Sequence, residues 1–327
     1  MTFVVFTLIG FTVFHALRQY TARKTQPQVC RTHFDGRVFK VGDTYIAKRP
    51  LRDGSTRSIV CFPGFLEDMR YFQDLYEDDP SELILFNNAD YHCPFIAEGE
   101  DVPELVWPDN PYPVGSIEHD AFYVGQSVLS MVSCDEIVLH GHSRGGAVIL
   151  EMGRQYQGLE ALGKAIHVVL EAPVLPQAKV AGPGSKKIFH SLVCYLLPLL
   201  FAGRRDITLG RLLRMPMMTP TNWRKTQLMS SIFLVARRYE TCAKNVKSIF
   251  RWQRLAGFEL YGYFQKLTVV VGESDSSLDR NSMLASVSEG AKVNPGVELL
   301  ETQSTNHFIS LEQPATIRQL LNQSPSN

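Results

Sequence analysis

Glu136-Ile137-Val138-Leu139-His140-Gly141-His142-Ser143-Arg144-Gly145-Gly146-Ala147-Val148-Ile149-Leu150 decides how the chain is read. Ile137 to Leu139 is a short apolar run with β-branched residues, which suits a buried strand. Gly141 to Gly146 is a turn of small residues around one serine, and Ala147 to Leu150 opens a segment of helical character. Gly141-His142-Ser143-Arg144-Gly145 fits G-x-S-x-G, in which a serine is held on a sharp strand-to-helix turn. A serine placed there has a strained backbone, and bulk two residues to either side would strike the neighbouring strand and helix. Gly146 adds a third position for close helix–sheet contact.

Outward from this turn, upstream, Gly36 to Ala47 alternates around Gly42-Asp43 and predicts a hairpin. Arg57 to Phe62 predicts a buried strand ending at Pro63-Gly64-Phe65, and Asp68 to Tyr76 a helix. Glu82 to Phe86 predicts another strand, and a Pro-rich loop follows over 93–115. Apolar positions return at helical spacing from Ser116 to Val132, with Ser116 as N-cap and Glu118 and Asp120 in the first turn. Downstream, the elbow helix runs to Tyr156, and Ala165 to Leu170 is a strand ending at Glu171-Ala172-Pro173. Leu267 to Gly272 and Val297 to Leu300 are later strands, and Gln313 to Leu321 a last helix.

Strands alternating with helices imply a mostly parallel sheet covered on both faces, which the early hairpin makes mixed. Val174 to Tyr263 breaks the alternation: it is basic, Met-rich and punctuated by Pro183, Pro198, Pro216 and Pro220. At about 90 residues it is too long for a simple crossover. The expected division is therefore an apolar segment and linker at 1–35, a core at 36–173 and 264–327, and a helical cap or lid at 174–263.

The 327 residues balance 33 basic against 33 acidic side chains, which leaves no nucleic-acid footprint. The cysteines Cys30, Cys61, Cys93, Cys134, Cys194 and Cys242 form no C-x-x-C pair, so they read as buried free thiols in a reducing compartment. His140 and His142, two apart on a strand with no third ligand nearby, point to elbow packing rather than a metal pair. No P-loop, no dinucleotide fingerprint and no H-E-x-x-H occurs, so neither a cofactor nor a metal is expected.

Phe3 to Leu17 is almost wholly apolar and is followed by Arg18, Arg23 and Lys24. A cleavable signal would carry its basic residues first. The run is short for a full span, which needs about 17 residues or more. Its flanking charges place the main domain on the cytoplasmic side of a membrane. The competing reading is a core helix. In the cap, Lys186-Lys187 and Arg204-Arg205 flank the apolar stretch Ile188 to Ala202, which suits a membrane-interface helix, a lid or an ordinary cap helix.

In open parallel sheets, ligands bind beyond the C-terminal ends of the strands. Three such ends carry chemistry here: Ser143, then Gly272-Glu273-Ser274-Asp275, then Thr305-Asn306-His307-Phe308. With Glu312-Gln313-Pro314 they resemble the α/β-hydrolase fold superfamily over roughly residues 36–322. That resemblance implies an α/β fold with a mostly parallel eight-stranded sheet, helices on both faces and a helical cap insertion. It also implies a serine nucleophile, Ser143, with His307 as general base. Asp275 fits the position of the acid, and Asp279 and Glu171 compete for it. The oxyanion donors would be the backbone N–H groups of Arg144 and Phe65. Phe62-Pro63-Gly64-Phe65 stands where family members carry His-Gly, and Leu66 is the alternative donor. The Arg144 side chain would cap the helix or pair with an acid.

The function expected from these residues is ester hydrolysis, esterase- or lipase-like, through an acyl-enzyme on Ser143. The substrate would be a small-molecule ester with an apolar acyl portion, and the protein would be membrane-associated through its N-terminal segment and cap. A thioesterase or an amide hydrolase would use the same triad. A non-catalytic binding protein on this fold is the reading from another class.

Overall fold

The computed structural model describes residues 2–22, 31–52, 54–97, 99–159, 163–181, 215–232 and 238–322, with 192, 195, 196 and 199. β1 (Arg37–Val41) and β2 (Thr44–Arg49) form the expected hairpin, with Gly42 at φ 53° in its turn. β3 (Arg57–Phe62), β4 (Glu82–Phe86), β5 (Glu136–His142), β6 (Ala165–Glu171), β7 (Lys266–Gly272) and β8 (Val297–Thr302) follow. They make one eight-stranded sheet in the order β1-β2-β4-β3-β5-β6-β7-β8. β2 runs antiparallel to β1 and β4, and the described pairings from β4 to β8 are parallel. The chain leaves β3 for β4 on one side and returns to β5 on the other. The strand order reverses there, where such sheets bind ligands, and Ser143 follows β5.

Strand alternation sorts the apolar side chains to two faces. Val60, Ile84, Ile137, Leu139, Val168 and Val269 face α3 (Ile117–Ser130) and α4 (Arg144–Gln155). Ile59, Leu83, Leu85, Val138, Val169 and Val270 face α2 (Arg70–Gln73) and α9 (Pro314–Asn322). Ser116 caps α3 as expected, accepting from His119 N at 3.0 Å. The helix predicted from Asp68 to Tyr76 is shorter. The Asp68 carboxylate turns back on Arg70 N and its guanidinium, so the helix starts at Arg70.

Between β6 and β7 lie α5 (Trp223–Ile232) and α6 (Arg238–Leu255). α6 packs into the core rather than over it. Ile249 and Trp252 join the α3–α4 cluster, Ser248 Oγ accepts from Ile117 N at 2.8 Å, and Trp252 Nε1 donates to Glu151 at 3.1 Å. The apolar stretch Ile188 to Ala202 lies mostly outside the described residues. α7 (Arg280–Val293), with buried Met283 and Val287, has no counterpart in the sequence reading; its apolar positions are interrupted by Ser286, Ser288, Glu289 and Gly290. α8 (Ile309–Glu312) follows the last strand.

α1 (Thr2–Ala22) is not a core helix: Phe6 is 70% exposed, Phe11 64% and Val13 62%. His15 Nδ1 lies 2.8 Å from Tyr195 Oη, and Arg18 Nε donates to the Tyr195 carbonyl at 2.7 Å. Among the described residues, no helix is long and apolar enough to cross a membrane. Cys61, Cys93, Cys134 and Cys242 are buried free thiols, while Cys30 and Cys194 lie outside the described residues.

The β5–α4 turn sits tightly under β3. A Cβ added to Gly145 would lie 2.0 Å from the Phe62 carbonyl oxygen. Backbone cannot yield as a flexible side chain can. Gly145→Ala should therefore cost about 3 kcal/mol, at the upper end for overpacking, measured as a lower urea midpoint at unchanged slope.

Candidate active site

Ser143 stands between β5 and α4 at φ 51°, ψ −114°. Such a backbone costs of order 1–3 kcal/mol and persists only where its surroundings hold it. Here Ser143 N donates to the Glu171 carbonyl at 2.9 Å, and Val174 N donates to the Ser143 carbonyl at 2.8 Å. An added Cβ would lie 2.5 Å from the Gly145 carbonyl oxygen at Gly141, and 2.4 Å from Pro173 Cβ at Gly146. All three glycines of the turn are thus demanded by close approach.

His307, in the loop after β8, brings Nε2 to 3.0 Å from Ser143 Oγ. Its Nδ1 lies 2.9 Å from Asp275 Oδ2, in the loop after β7. The other Asp275 oxygen accepts from Ser277 N at 2.8 Å and Leu278 N at 2.9 Å. Burial opposes the Asp275 charge, but His307 and these N–H groups prevail and hold its pKa below the ordinary value. An ionised carboxylate only accepts, so Nδ1 carries the imidazole proton and Nε2 is left to accept from Ser143.

The competing acids are committed elsewhere. Asp279 is the N-cap of α7 and accepts from Ser282 N at 2.8 Å. Glu171 is no solvated strand end. It is buried and accepts from Tyr71 Oη, from His140 Nε2 at 3.0 Å, and from Ser310 N at 2.6 Å. Burial raises its pKa, but the His140 hydrogen bond and the nearby His142 charge outweigh that and bring it down to about 2.

The Arg144 side chain does pair with an acid. Fully buried, it donates to Asp120 Oδ2 at 2.6 Å and Asn88 Oδ1 at 2.8 Å. Burial opposes the Asp120 charge, yet Arg144 and His119 hold its pKa low. Arg144 N lies in the first turn of α4, where backbone N–H groups lack intrahelical acceptors. The Gly64–Phe65 loop passes over the serine, since a Cβ on Gly64 would lie 2.8 Å from Ser143 Cβ. Asn88 Nδ2 donates to the Gly64 carbonyl at 2.8 Å. Within a trans peptide the C=O and N–H point oppositely, so this bond fixes the direction of Phe65 N–H. Leu66, the alternative donor, sits at φ 65° in the same turn.

Asn88, Asp120 and Glu67 were not among the residues read from the sequence as site candidates. Glu67 accepts from Gly64 N at 2.9 Å and lies 2.7 Å from His142 Nδ1. Their spacing carried no pattern, and only Asp120 stood in a position, a helix first turn, where an acid is common. Among the described residues, Glu67, His142 and His307 bring ligand-type atoms within 4.8 Å of one another. Those atoms are already engaged: His142 Nδ1 by Glu67, and the His307 nitrogens by Ser143 and Asp275. A cation there would displace these hydrogen bonds. The sequence reading of His140 and His142 finds no third ligand, whereas folding brings Glu67 and His307 beside His142.

No family model and no curated protein matches the chain. Solved structures do. A thermophilic esterase from Thermogutta terrifontis superposes with TM-score 0.56 at 16% identity, over 91% of this chain and 97% of that one. A hydrolase from Oleispira antarctica gives 0.57 at 13% identity over 85% and 94%. The enol-lactonase from Burkholderia xenovorans LB400 gives 0.55 at 14% over 85% and 95%. The chain has the α/β-hydrolase fold.

Removing one partner of a buried ion pair costs about 3–5 kcal/mol, because the other charge is left stranded. Arg144→Met should lose stability on that scale by urea denaturation, and the double variant Arg144→Met/Asp120→Leu should recover part of it.

Proposed function

We propose that the protein is a serine hydrolase that cleaves carboxylic esters through an acyl-enzyme on Ser143. The observation that carries this reading is the hydrogen-bonded chain Ser143–His307–Asp275, set beside the Gly64–Phe65 loop at the switch point of the sheet. His307 takes the serine proton as Oγ attacks the acyl carbon, and Asp275 supports the imidazolium that forms. The N–H groups of Phe65 and Arg144 receive the developing oxyanion. His307 then gives its proton to the departing alcohol, and water repeats the sequence to release the acid. Acyl transfer of this kind requires no cofactor.

Apolar side chains near the site favour an ester with an apolar acyl portion. Asn306 Nδ2 donates to the carbonyls of Pro216 and Thr219 at 2.9 Å each, which brings a Met-rich turn beside the histidine loop. Met215, Met217, Phe65 and Leu66 there are partly buried against one cluster. We take the insertion at 174–263 as the lid over the site, with its α6 end anchored in the core. We also place the protein at the cytoplasmic side of a membrane, with α1 inserted in one leaflet. Its exposed apolar residues and the basic Arg23 and Lys24 that follow in sequence suit an anionic bilayer surface.

Ser143→Ala and His307→Ala should each lower kcat/KM on a short p-nitrophenyl ester by about 10³-fold or more while the fold is kept. Asp275→Asn should cost nearly as much, and Asp279→Asn little. Near-wild-type turnover in the serine or histidine variant sinks the assignment. A fluorophosphonate probe should label Ser143, which a binding protein on this fold would not do. Thioester and anilide substrates in the same assay separate thioesterase and amidase from esterase.

A chain begun at Arg31 should leave vesicles containing phosphatidylserine and keep its activity on the soluble ester. Unchanged vesicle binding, or loss of soluble-ester activity, would overturn the placement of α1 in a leaflet.

A further inference from the structure

Three loops meet at the candidate site: Pro63–Glu67 after β3, the elbow after β5, and Thr305–Phe308 after β8. One side-chain chain ties them together. Gly64 N donates to Glu67 Oε2 at 2.9 Å, and His142 Nδ1 lies 2.7 Å from that same oxygen. On its other edge, His142 Nε2 lies 2.9 Å from the His307 carbonyl oxygen. A carbonyl oxygen and an ionised carboxylate only accept, so both ring nitrogens of His142 carry protons and the ring is an imidazolium. Tyr71 stacks on it at 4.1 Å between centroids, the His307 ring lies 5.0 Å away, and all these groups are buried.

We propose that Glu67 and His142 are positioning residues, an ion pair that holds the oxyanion loop and the histidine loop against the elbow at the same time. This rests on the serine-hydrolase reading and names two residues through which that site is held. The ion pair reaches both halves of the machinery. At one end, Glu67 fixes Gly64 N while Asn88 fixes the carbonyls of Gly64 and Glu67, so the peptide that presents Phe65 N–H cannot turn over. At the other end, the His142 ring fixes the backbone of His307, whose side chain must stay within reach of Ser143 Oγ. Misplacement of reacting groups by about 1 Å can cost on the order of 10²-fold.

The charge on His142 sets a pH window. The groups facing its ring are Glu67 from the loop after β3, Glu171 from β6, Tyr71 from α2 and His307 from the loop after β8, with His140 on its own strand. Burial pulls the ring toward neutrality, but Glu67, with Glu171 and the His307 carbonyl, outweighs this and raises its pKa to about 9. The clamp is therefore complete at neutral pH and is lost as pH rises through about 9.

The test compares wild type with Glu67→Gln, which keeps the shape and removes the charge, and with His142→Phe, which keeps a ring and removes both donors. kcat and KM on a short soluble ester are measured from about pH 7 to about pH 10, with fluorophosphonate labelling of Ser143 alongside. Both variants should lose about 10- to 100-fold in kcat with KM nearly unchanged. The wild-type alkaline fall near pH 9 should move to lower pH in Glu67→Gln, where the carboxylate no longer supports the imidazolium. A role confined to stability would move the alkaline limb of unfolding, followed by circular dichroism, but would leave kcat per folded molecule and its pH limb unchanged. Wild-type labelling with unchanged kcat and pH limb in the variants overturns the clamp alone. Absence of labelling in wild type overturns the parent reading and the clamp with it. If both variants fail to fold, the wild-type profile decides: a kcat flat through about pH 9 to 10 refutes the proposal, and a fall there while circular dichroism shows the fold intact upholds it.

Discussion

The fold turns on one abrupt junction, where α4 starts a single residue after β5 ends. Ser143 carries that junction at φ 51°, ψ −114°, a conformation unfavourable for any side chain. What holds it is contact on every side. Gly145 lies under the Phe62 carbonyl, Gly146 against Pro173, and Gly141 against Gly145, with Ser143 N and the Ser143 carbonyl bonded to Glu171 and Val174. The strain is local and the restraint is distributed over β3, β5 and β6. The same crowding that forbids side chains at the glycines leaves the serine hydroxyl standing clear toward His307.

Beneath the apolar layers lies a second, polar one. Arg144–Asp120 with Asn88, Glu171 with His140, Tyr71 and Ser310, and Lys225–Glu312 beside Asn306 are all buried and hydrogen-bonded. Such pairs contribute little net stability compared with apolar substitutes, but breaking one is costly. Here they run between elements rather than along one. Arg144 reaches the loop after β4 and α3, Glu171 reaches β5, α2 and α8, and Glu312 joins α5 to the histidine loop. Their effect is to fix relative loop positions at the carboxyl edge of the sheet.

Much of this was legible in the residues. The hairpin, the strands at 57–62, 82–86 and 136–142, and the Ser116 cap appear in the structure near where alternation and capping signals placed them. The resemblance and its chain order imply that Ser143 meets His307 and an acid, with Asp275, Asp279 and Glu171 in competition; the structure brings Asp275 to His307. Asp279 and Glu171 could not be set aside from sequence, because a helix cap and a buried acceptor are made by neighbours distant in the chain. The α7 helix gives a weak signal because Ser282, Ser286, Ser288, Glu289 and Gly290 break up its apolar positions. α6 lies within the long insertion that interrupts the strand–helix alternation, and its packing against α3 and α4 depends on residues distant in the chain. Glu67 and Asn88 had no pattern to betray them. Their importance comes from carbonyl and N–H groups that only folding brings within reach.

The buried thiols add a consequence for how the molecule could be watched coming apart. Burial pushes the Cys61 thiol well above its ordinary range and Cys93 to about 12. Only the thiolate reacts with disulfide reagents, so neither is available until its surroundings open. Cys61 sits in β3, between β4 and β5, and is released only when the sheet parts. Cys242 lies in α6 beside Tyr91, at the seam between that helix and the loop after β4. Thiol trapping in the native protein is thus a layered clock. Reaction at Cys242 ahead of Cys61 would time the lifting of α6 from the body separately from global unfolding.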